Sequence, residues 1–204
     1  VSGFGTTGPM SDYPAYDMVI QGLTGITALQ GSDNEMQHIN MLICDKITAY
    51  TVAQATTAAL LARASTGKGQ HIDISMLQAN LAFMWPDGMG NEHFLPDPEL
   101  GEVARLPDGD HSHMLKETSD GYLATMPVQP REIAALVKAM GIDDALDDDG
   151  RLRPPDQRSH LNLGELINEG FKSMTTDEAC RVLEEHQVPF GRLNSRDQVL
   201  SNPQ

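Results

Sequence analysis

The chain has 204 residues, 29 acidic against 14 basic side chains, a net charge of −15 and 40% hydrophobic residues. That length allows one or two domains with a real core, and the acidic balance argues against nucleic acid or an anionic membrane surface as the main partner. No apolar run approaches the ~18 residues of a membrane span, and the two cysteines, Cys44 and Cys180, give no disulfide framework, which points to a reducing, cytoplasmic compartment.

Residues 1–16 carry the breakers Thr7-Gly8-Pro9 and Tyr13-Pro14 and read as loop. Tyr16 to Leu29 reads as a helix with Met18, Val19, Leu23 and Ile26 on its apolar stripe, and Gly22 and Gly25 either weaken it or mark close packing. A polar loop from Gly31 to His38 leads to the stretch that organises the chain. There Asp45 stands at the entry of a long Ala-, Leu- and Val-rich helix, placed to cap its first turn. Apolar residues from Ile47 to Arg63 fall on more than one face, which predicts a helix largely buried between other elements. Thr66-Gly67-Lys68-Gly69-Gln70 is its stop signal, and His71 to Met76 alternates polar and apolar as a half-buried strand does. A second helix follows from about Met76 to Trp85, ended by Pro86.

Residues 86–112 hold four prolines, several glycines and many acids, and read as a linker or extended active-site loop. Met114-Leu115-Lys116 and Tyr122 to Met126, joined through Ser119-Asp120-Gly121, predict a β-hairpin. Pro130 opens a helix that Gly141 ends, the acidic run 143–156 is loop, and Leu161 to Met174 is helical. Thr175 with Glu178 matches a capping box, Val188-Pro189-Phe190-Gly191 reads as a turn, and Ser195 to Leu200 as a last short helix. The organisation expected is a large-domain part over 1–85, a linker over 86–110 and a small α+β domain over 111–204. The chain opens at Val1 in mid-motif and stops at Gln204 without a terminating element, as a piece of a longer protein would.

Several local signals compete for chemistry. Asp45 suits a helix cap, or a carboxylate nucleophile if it stays ionised and partly desolvated. Gly67-Lys68-Gly69 fails as a phosphate loop, because Ala62 and Gly69 stand where that motif needs Gly and Ser or Thr, and helix precedes strand. Gly3-Phe4-Gly5 with Gly8 is a faint dinucleotide signature with no strand before it. His111 and His113, near Asp108 and Asp110, lack a third spaced ligand, so no metal is expected. Cys44 could be a low-pKa thiolate near a helix start or a small core residue.

Taken together, Gly3-Phe4-Gly5-x-x-Gly8-Pro9, Tyr16-Asp17-x-x-x-Gln21, Asp45, Leu61-x-Arg63-x-x-Thr66-Gly67-Lys68-Gly69-Gln70 and Ser75-Met76-Leu77 resemble the class III CoA-transferase family. This is the family of formyl-CoA transferase, carnitine CoA-transferase and α-methylacyl-CoA racemase. The order and spacing agree over roughly residues 2–85, and the second half is similar more loosely, through Ser119-Asp120-Gly121-Tyr122 and Val188 to Asn194.

The resemblance implies an α/β fold: the later part of a Rossmann-like large domain, a small α+β domain and an interlocked homodimer. It implies that Asp45 is the catalytic nucleophile, attacking an acyl-CoA thioester and passing CoA to a second carboxylic acid through covalent aspartyl intermediates. Coenzyme A enters as the thioester substrate, with no permanently bound cofactor. Pro14, Ala15, Tyr16 and Asp17 align with a stretch that contacts CoA, while their plain reading is a loop packing Tyr16 into the core.

The family's racemase uses His and Asp on one side of the α-carbon and Glu on the other. Tyr16 and Gln129 stand at the His and Glu positions, which disfavours racemisation. That reaction and a noncatalytic acyl-CoA-binding paralogue are the alternatives. Two departures from the family are plain: Cys44 and Tyr50 replace a usual small residue and a glycine, and 86–112 holds no clear counterpart of the glycine-rich loop that shields the intermediates.

Overall fold

In the computed structural model, residues 1–31, 35–89 and 114–204 are described. The chain divides into two compact units, Val1–Asp110 and His111–Gln204. Residues 90–113 lie outside the described ones, and with them most of the expected linker, its Gly90, Gly101 and Gly109, and the His111/His113 pair.

The N-terminal unit is helical. Helix α1 (Asp17–Thr24) and the short α2 (Ile26–Gln30) are separated by Gly25, whose φ of +82° takes the left-handed conformation that glycine adopts without strain. The single helix expected from Tyr16 to Leu29 is therefore broken. Its buried face is also not the expected one. Met18, Val19 and Leu23 are exposed, whereas Asp17, Ile20, Gln21 and Thr24 are buried. Apolar periodicity misleads here because polar side chains are buried with their hydrogen bonds satisfied.

Helix α3 (Ile43–Thr66) runs 24 residues and stops at Gly67, whose φ of +72° and N–H bond to the Arg63 carbonyl (2.8 Å) form the expected C-terminal cap. Contrary to expectation α3 buries only Cys44, Ile47 and Thr48; Tyr50, Leu60 and Leu61 are exposed. It meets α1 and α4 (Met76–Gly88) near its start, and no described element covers the rest.

Residues 71–76 form no strand. They alternate in exposure from His71 to Ile74, until the buried Ser75 breaks the pattern, and make one parallel bridge, Ser2 to Ser75, so no Rossmann-type sheet occurs among the described residues of this unit. Ser75 Oγ instead caps α4 by accepting from the Gln78 N–H at 3.1 Å. Pro86 sits inside α4 rather than ending it, so the first residues of the expected linker are helical. A small core of Phe4, Ile20, Ile26, Cys44 and Met84 closes this unit.

The C-terminal unit is built as the sequence indicates, with one strand more. The hairpin β1 (Leu115–Glu117) and β2 (Tyr122–Thr125) is antiparallel, with Lys116 opposite Leu123. The segment read as a turn contains β3 (Phe190–Arg192), which pairs antiparallel with β2 and completes a β1-β2-β3 sheet. Its three residues are too few to show an alternating pattern. Helix α5 (Pro130–Ala139) starts at Pro130 and ends before Gly141 at φ +71°. Helix α6 (Leu163–Lys172), α7 (Thr176–Glu185) and α8 (Arg196–Leu200) follow as expected. The acidic run holds a short 3-10 turn and a Leu146–Leu152 bridge. Leu123, Leu136, Phe171, Ala179 and Leu183 form the core.

Candidate functional site

The start of α3 brings two of the expected residues together. Leu42 occupies the cap position without any side-chain cap bond, and Asp45 lies in the first turn rather than at the cap. The cap comes from elsewhere. Asp17, at the first position of α1 and only 3% exposed, accepts the Asp45 backbone N–H at 2.9 Å through Oδ2. Its Oδ1 accepts from Gln21 Nε2 at 2.6 Å. Two helix N-termini, those of α1 and α3, thus converge on one buried carboxylate, and their partial positive charge favours an anion there.

Gln21, fully buried one turn along, ties the approach to α3 in place. Its Nε2 donates to the carbonyls of Met41 (3.1 Å) and Ile39 (3.3 Å), and its Oε1 accepts the Ile39 N–H at 2.9 Å. From α4, the fully buried Asn80 donates through Nδ2 to the Met76 carbonyl (2.8 Å), the Cys44 carbonyl (3.2 Å) and Thr48 Oγ1 (3.3 Å). Asn80 Oδ1 has no partner among the described residues.

With its capping role taken by Asp17, the Asp45 carboxylate is exposed and accepts no hydrogen bond from any described residue. It opens onto an apolar concavity of about 440 Å³ lined by Val1, Thr48, Ala49, Val52, Ala53 and Met76. Residues 45, 48, 49, 52 and 53 share one face of α3, spaced three and four apart. The carboxylate thus stands at one end of a shallow apolar trough along the helix.

Cys44, by contrast, is no thiolate. Burial first, then the neighbouring Asp17 and Asp45 carboxylates, push its thiol up to about 12, which overturns the low-pKa reading. It is a core residue.

In the 14–17 segment, Pro14 is exposed, Ala15 is half-buried and Tyr16 is 76% exposed, so the packing of Tyr16 into the core does not occur. A Cβ on Gly3 would collide with that of Ala15, so residue 3 must be glycine for the N-terminal segment to pass this close. Asp17 is buried and its Oδ2 accepts the Asp45 N–H at the start of α3. Gln21 carries a sequence signal, Asp17 one turn earlier on the same helix face, whereas Asn80 carries none, with Met76 one turn before it and Met84 one turn after.

Among the described residues no group of three His, Cys, Asp or Glu side chains could hold a metal. No helix there is long and apolar enough to cross a membrane.

The family model for CoA-transferase family III matches residues 1–204, and the chain belongs to that family. Among curated relatives it is 24% identical to the succinate–glutarate CoA-transferase of Agrobacterium fabrum and 28% identical to the succinyl-CoA–D-citramalate CoA-transferase of Chloroflexus aurantiacus. Each match takes in 100% of this chain and 51% of the relative, so the chain spans about half the length of these relatives. The fold is shared with a CAIB/BAIF family protein from Brucella suis, at a TM-score of 0.69 and 28% identity over 99% of this chain and 53% of that one. These relatives give the racemase alternative no support.

Proposed function

We propose that the complete polypeptide carrying this chain is a CoA-transferase that moves CoA from an acyl-CoA to a second carboxylic acid, with Asp45 as nucleophile. The observation that carries the reading is the division of labour at α3. A carboxylate that only capped the helix would have its oxygens on backbone N–H groups, and here Asp17 has that contact. Asp45 is left accessible in a helix first turn, with no partner among the described residues.

The chemistry runs in four displacements. An Asp45 oxygen attacks the thioester carbonyl, the C–S bond breaks, and CoA leaves as the thiolate with Asp45 as a mixed anhydride. The thiolate then attacks the Asp45 carbonyl carbon, releasing the donor acid as a carboxylate and leaving an aspartyl-CoA thioester. The acceptor carboxylate attacks that thioester, re-forming an anhydride and freeing the thiolate. The thiolate finally attacks the acceptor's acyl carbon and restores the Asp45 carboxylate. No electron leaves the system and no proton need be added, and each step substitutes a covalent stage for one difficult exchange.

The apolar trough beside Asp45 would shed water around the anhydride. Of the Pro14–Asp17 segment proposed to meet CoA, Pro14 and Tyr16 are the exposed residues. The relatives' names make succinyl-CoA the first donor to try. The family resemblance adds a homodimer acting in the cytoplasm.

The test is direct. The complete enzyme is incubated with succinyl-CoA and hydroxylamine, and peptides are read by mass spectrometry for a hydroxamate on Asp45. Modification of Asp45 supports the covalent route. CoA binding with Asp45 unmodified, and unaltered in Asp45→Asn, supports a binding protein instead.

A further inference from the structure

The Cys44–Asp45 peptide group is held at both ends by buried side chains from two other helices. Its N–H donates to Asp17 Oδ2 of α1 at 2.9 Å, and its C=O accepts from Asn80 Nδ2 of α4 at 3.2 Å. The same carbonyl accepts from Thr48 Oγ1 at 2.7 Å, and Asn80 Nδ2 also reaches that hydroxyl. Asp17 is itself fixed by Gln21, and Asn80 by the Met76 carbonyl. Neither Asp17 nor Asn80 lines the trough beside Asp45.

Helix formation alone does not require this arrangement. A first-turn N–H is ordinarily satisfied by a cap residue next to it in sequence or by water, and a helix carbonyl at this place already has its partner one turn on. The donors on Asn80 gather on three acceptors while its Oδ1 has no partner among the described residues, so the amide cannot turn over without setting its carbonyl against those acceptors. A buried amide left with an orphan oxygen is costly. The cost is borne at the peptide group that leads into the Asp45 Cα.

We infer that Asp17 and Asn80 are positioning residues that fix the Cys44–Asp45 peptide plane, and through it the line along which the Asp45 carboxylate attacks. The inference rests on the nucleophile reading of Asp45. A reacting oxygen must lie about 3 Å from its target carbon with its orbitals aligned, and small misplacements lower the rate steeply. Two rotatable bonds, Cα–Cβ and Cβ–Cγ, separate the clamped backbone from the carboxylate oxygens. The clamp sets the remaining freedom without touching the substrate.

The complete enzyme is mixed rapidly with succinyl-CoA, quenched, and the acylated or CoA-bound Asp45 peptide quantified against time, for the wild type, Asn80→Ala and Asp45→Asn. Asn80→Ala is expected to slow the burst by about tenfold at unchanged amplitude, with KM for succinyl-CoA within about twofold. A structural role alone would lower the amplitude, which counts folded sites, and leave the rate of those that remain. That result, or an unchanged rate, overturns the inference. If Asn80→Ala yields no folded protein, Asp17→Asn, which keeps the side chain's size and one acceptor, is read by the same criteria. Asp45→Asn separates the two failures: full transferase activity in it sinks the nucleophile reading, whereas no activity in it beside an unaltered Asn80→Ala sinks only the clamp.

Discussion

The two units start their helices by different means. In the C-terminal unit α5, α7 and α8 each carry their own capping box, Gln129 with Glu132, Thr175 with Glu178 and Ser195 with Gln198, all three residues apart. In the N-terminal unit α3 has no cap of its own and takes one from Asp17, 28 residues earlier. The cores differ likewise. Leu123, Leu136, Phe171 and Leu183 are buried among apolar neighbours in the C-terminal unit, whereas Gln21 and Asn80 are fully buried in the N-terminal one. The C-terminal unit adds a distant contact to its local ones, Asp120 Oδ1 accepting the Thr176 N–H at 2.7 Å from 56 residues away, whereas the N-terminal unit starts α3, among the described residues, on a distant carboxylate alone. The proposed chemistry lies in the second, where a buried polar network can hold one backbone turn to a single arrangement.

The largest effect expected on that contrast is catalytic: Asp45→Asn should reduce CoA transfer by at least about a thousandfold with little change in thermal unfolding, since its side chain bonds to no described residue. Measured transfer rates and melting curves decide it, and a large stability loss would break the division of labour between Asp17 and Asp45.

Next, Phe171→Ala should cost about 3–5 kcal/mol by denaturant titration, because Phe171 is fully buried in the C-terminal core. Asp17→Ala should cost about 1–3 kcal/mol, as it strands the Asp45 N–H and one Gln21 donor. Thr175→Ala should cost about 1 kcal/mol, the usual worth of a local cap. If Asp17→Ala proves milder than Thr175→Ala, the distant cap is not the stronger support.

The smallest effect is on acid stability. Hydrogen bonds from the Thr175 backbone and hydroxyl hold the Glu178 carboxyl below its ordinary 4.5, and the Gln129 and Val128 backbone N–H groups do the same for Glu132. A carboxylate depressed by folding contributes stability that is complete above 4.5 and lost as pH falls through the folded value. The Glu132→Gln/Glu178→Gln double variant should therefore show a shallower loss of helix signal on acidification, followed by circular dichroism. An unchanged acid limb would mean that the two boxes add nothing.

The same contrast explains what the sequence made legible. Capping boxes, Pro130 and Gly141 are read within a few residues, so the C-terminal helices could be placed from the sequence, and only the three-residue β3 escaped. The stop at Gly67 was legible for the same reason. The cap of α3 was not, since nothing near Asp45 says that a carboxylate from another helix takes its N–H. The burial of α1 escapes a reading of the sequence because Asp17 and Gln21 look like a solvent face until their partners at 39–45 are known, and Thr24 until its hydroxyl is seen to bond back to the Ile20 carbonyl. For α3 an apolar composition suggested burial, yet among the described residues little covers it. Asp45 itself was singled out by family resemblance, and its separation from the capping role needed the structure.

The bridge near the N-terminus bears on the order in which this polypeptide matures at the ribosome. Ser2 donates its N–H to the Ile74 carbonyl (3.0 Å), and its own carbonyl receives the Met76 N–H (2.9 Å), while Gly3 receives that of Leu77 (3.0 Å). Those partners emerge more than seventy residues after the segment they bind. Until then the stretch around Phe4 has no seat, and the loop-closure cost falls on a contact that helix propagation cannot prepay. The hairpin of the other unit closes as soon as Thr125 is made. During synthesis the Ser2–Gly3 segment thus gains these partners only when Leu77 is made, as β2 gains its second neighbour only when Arg192 of β3 follows.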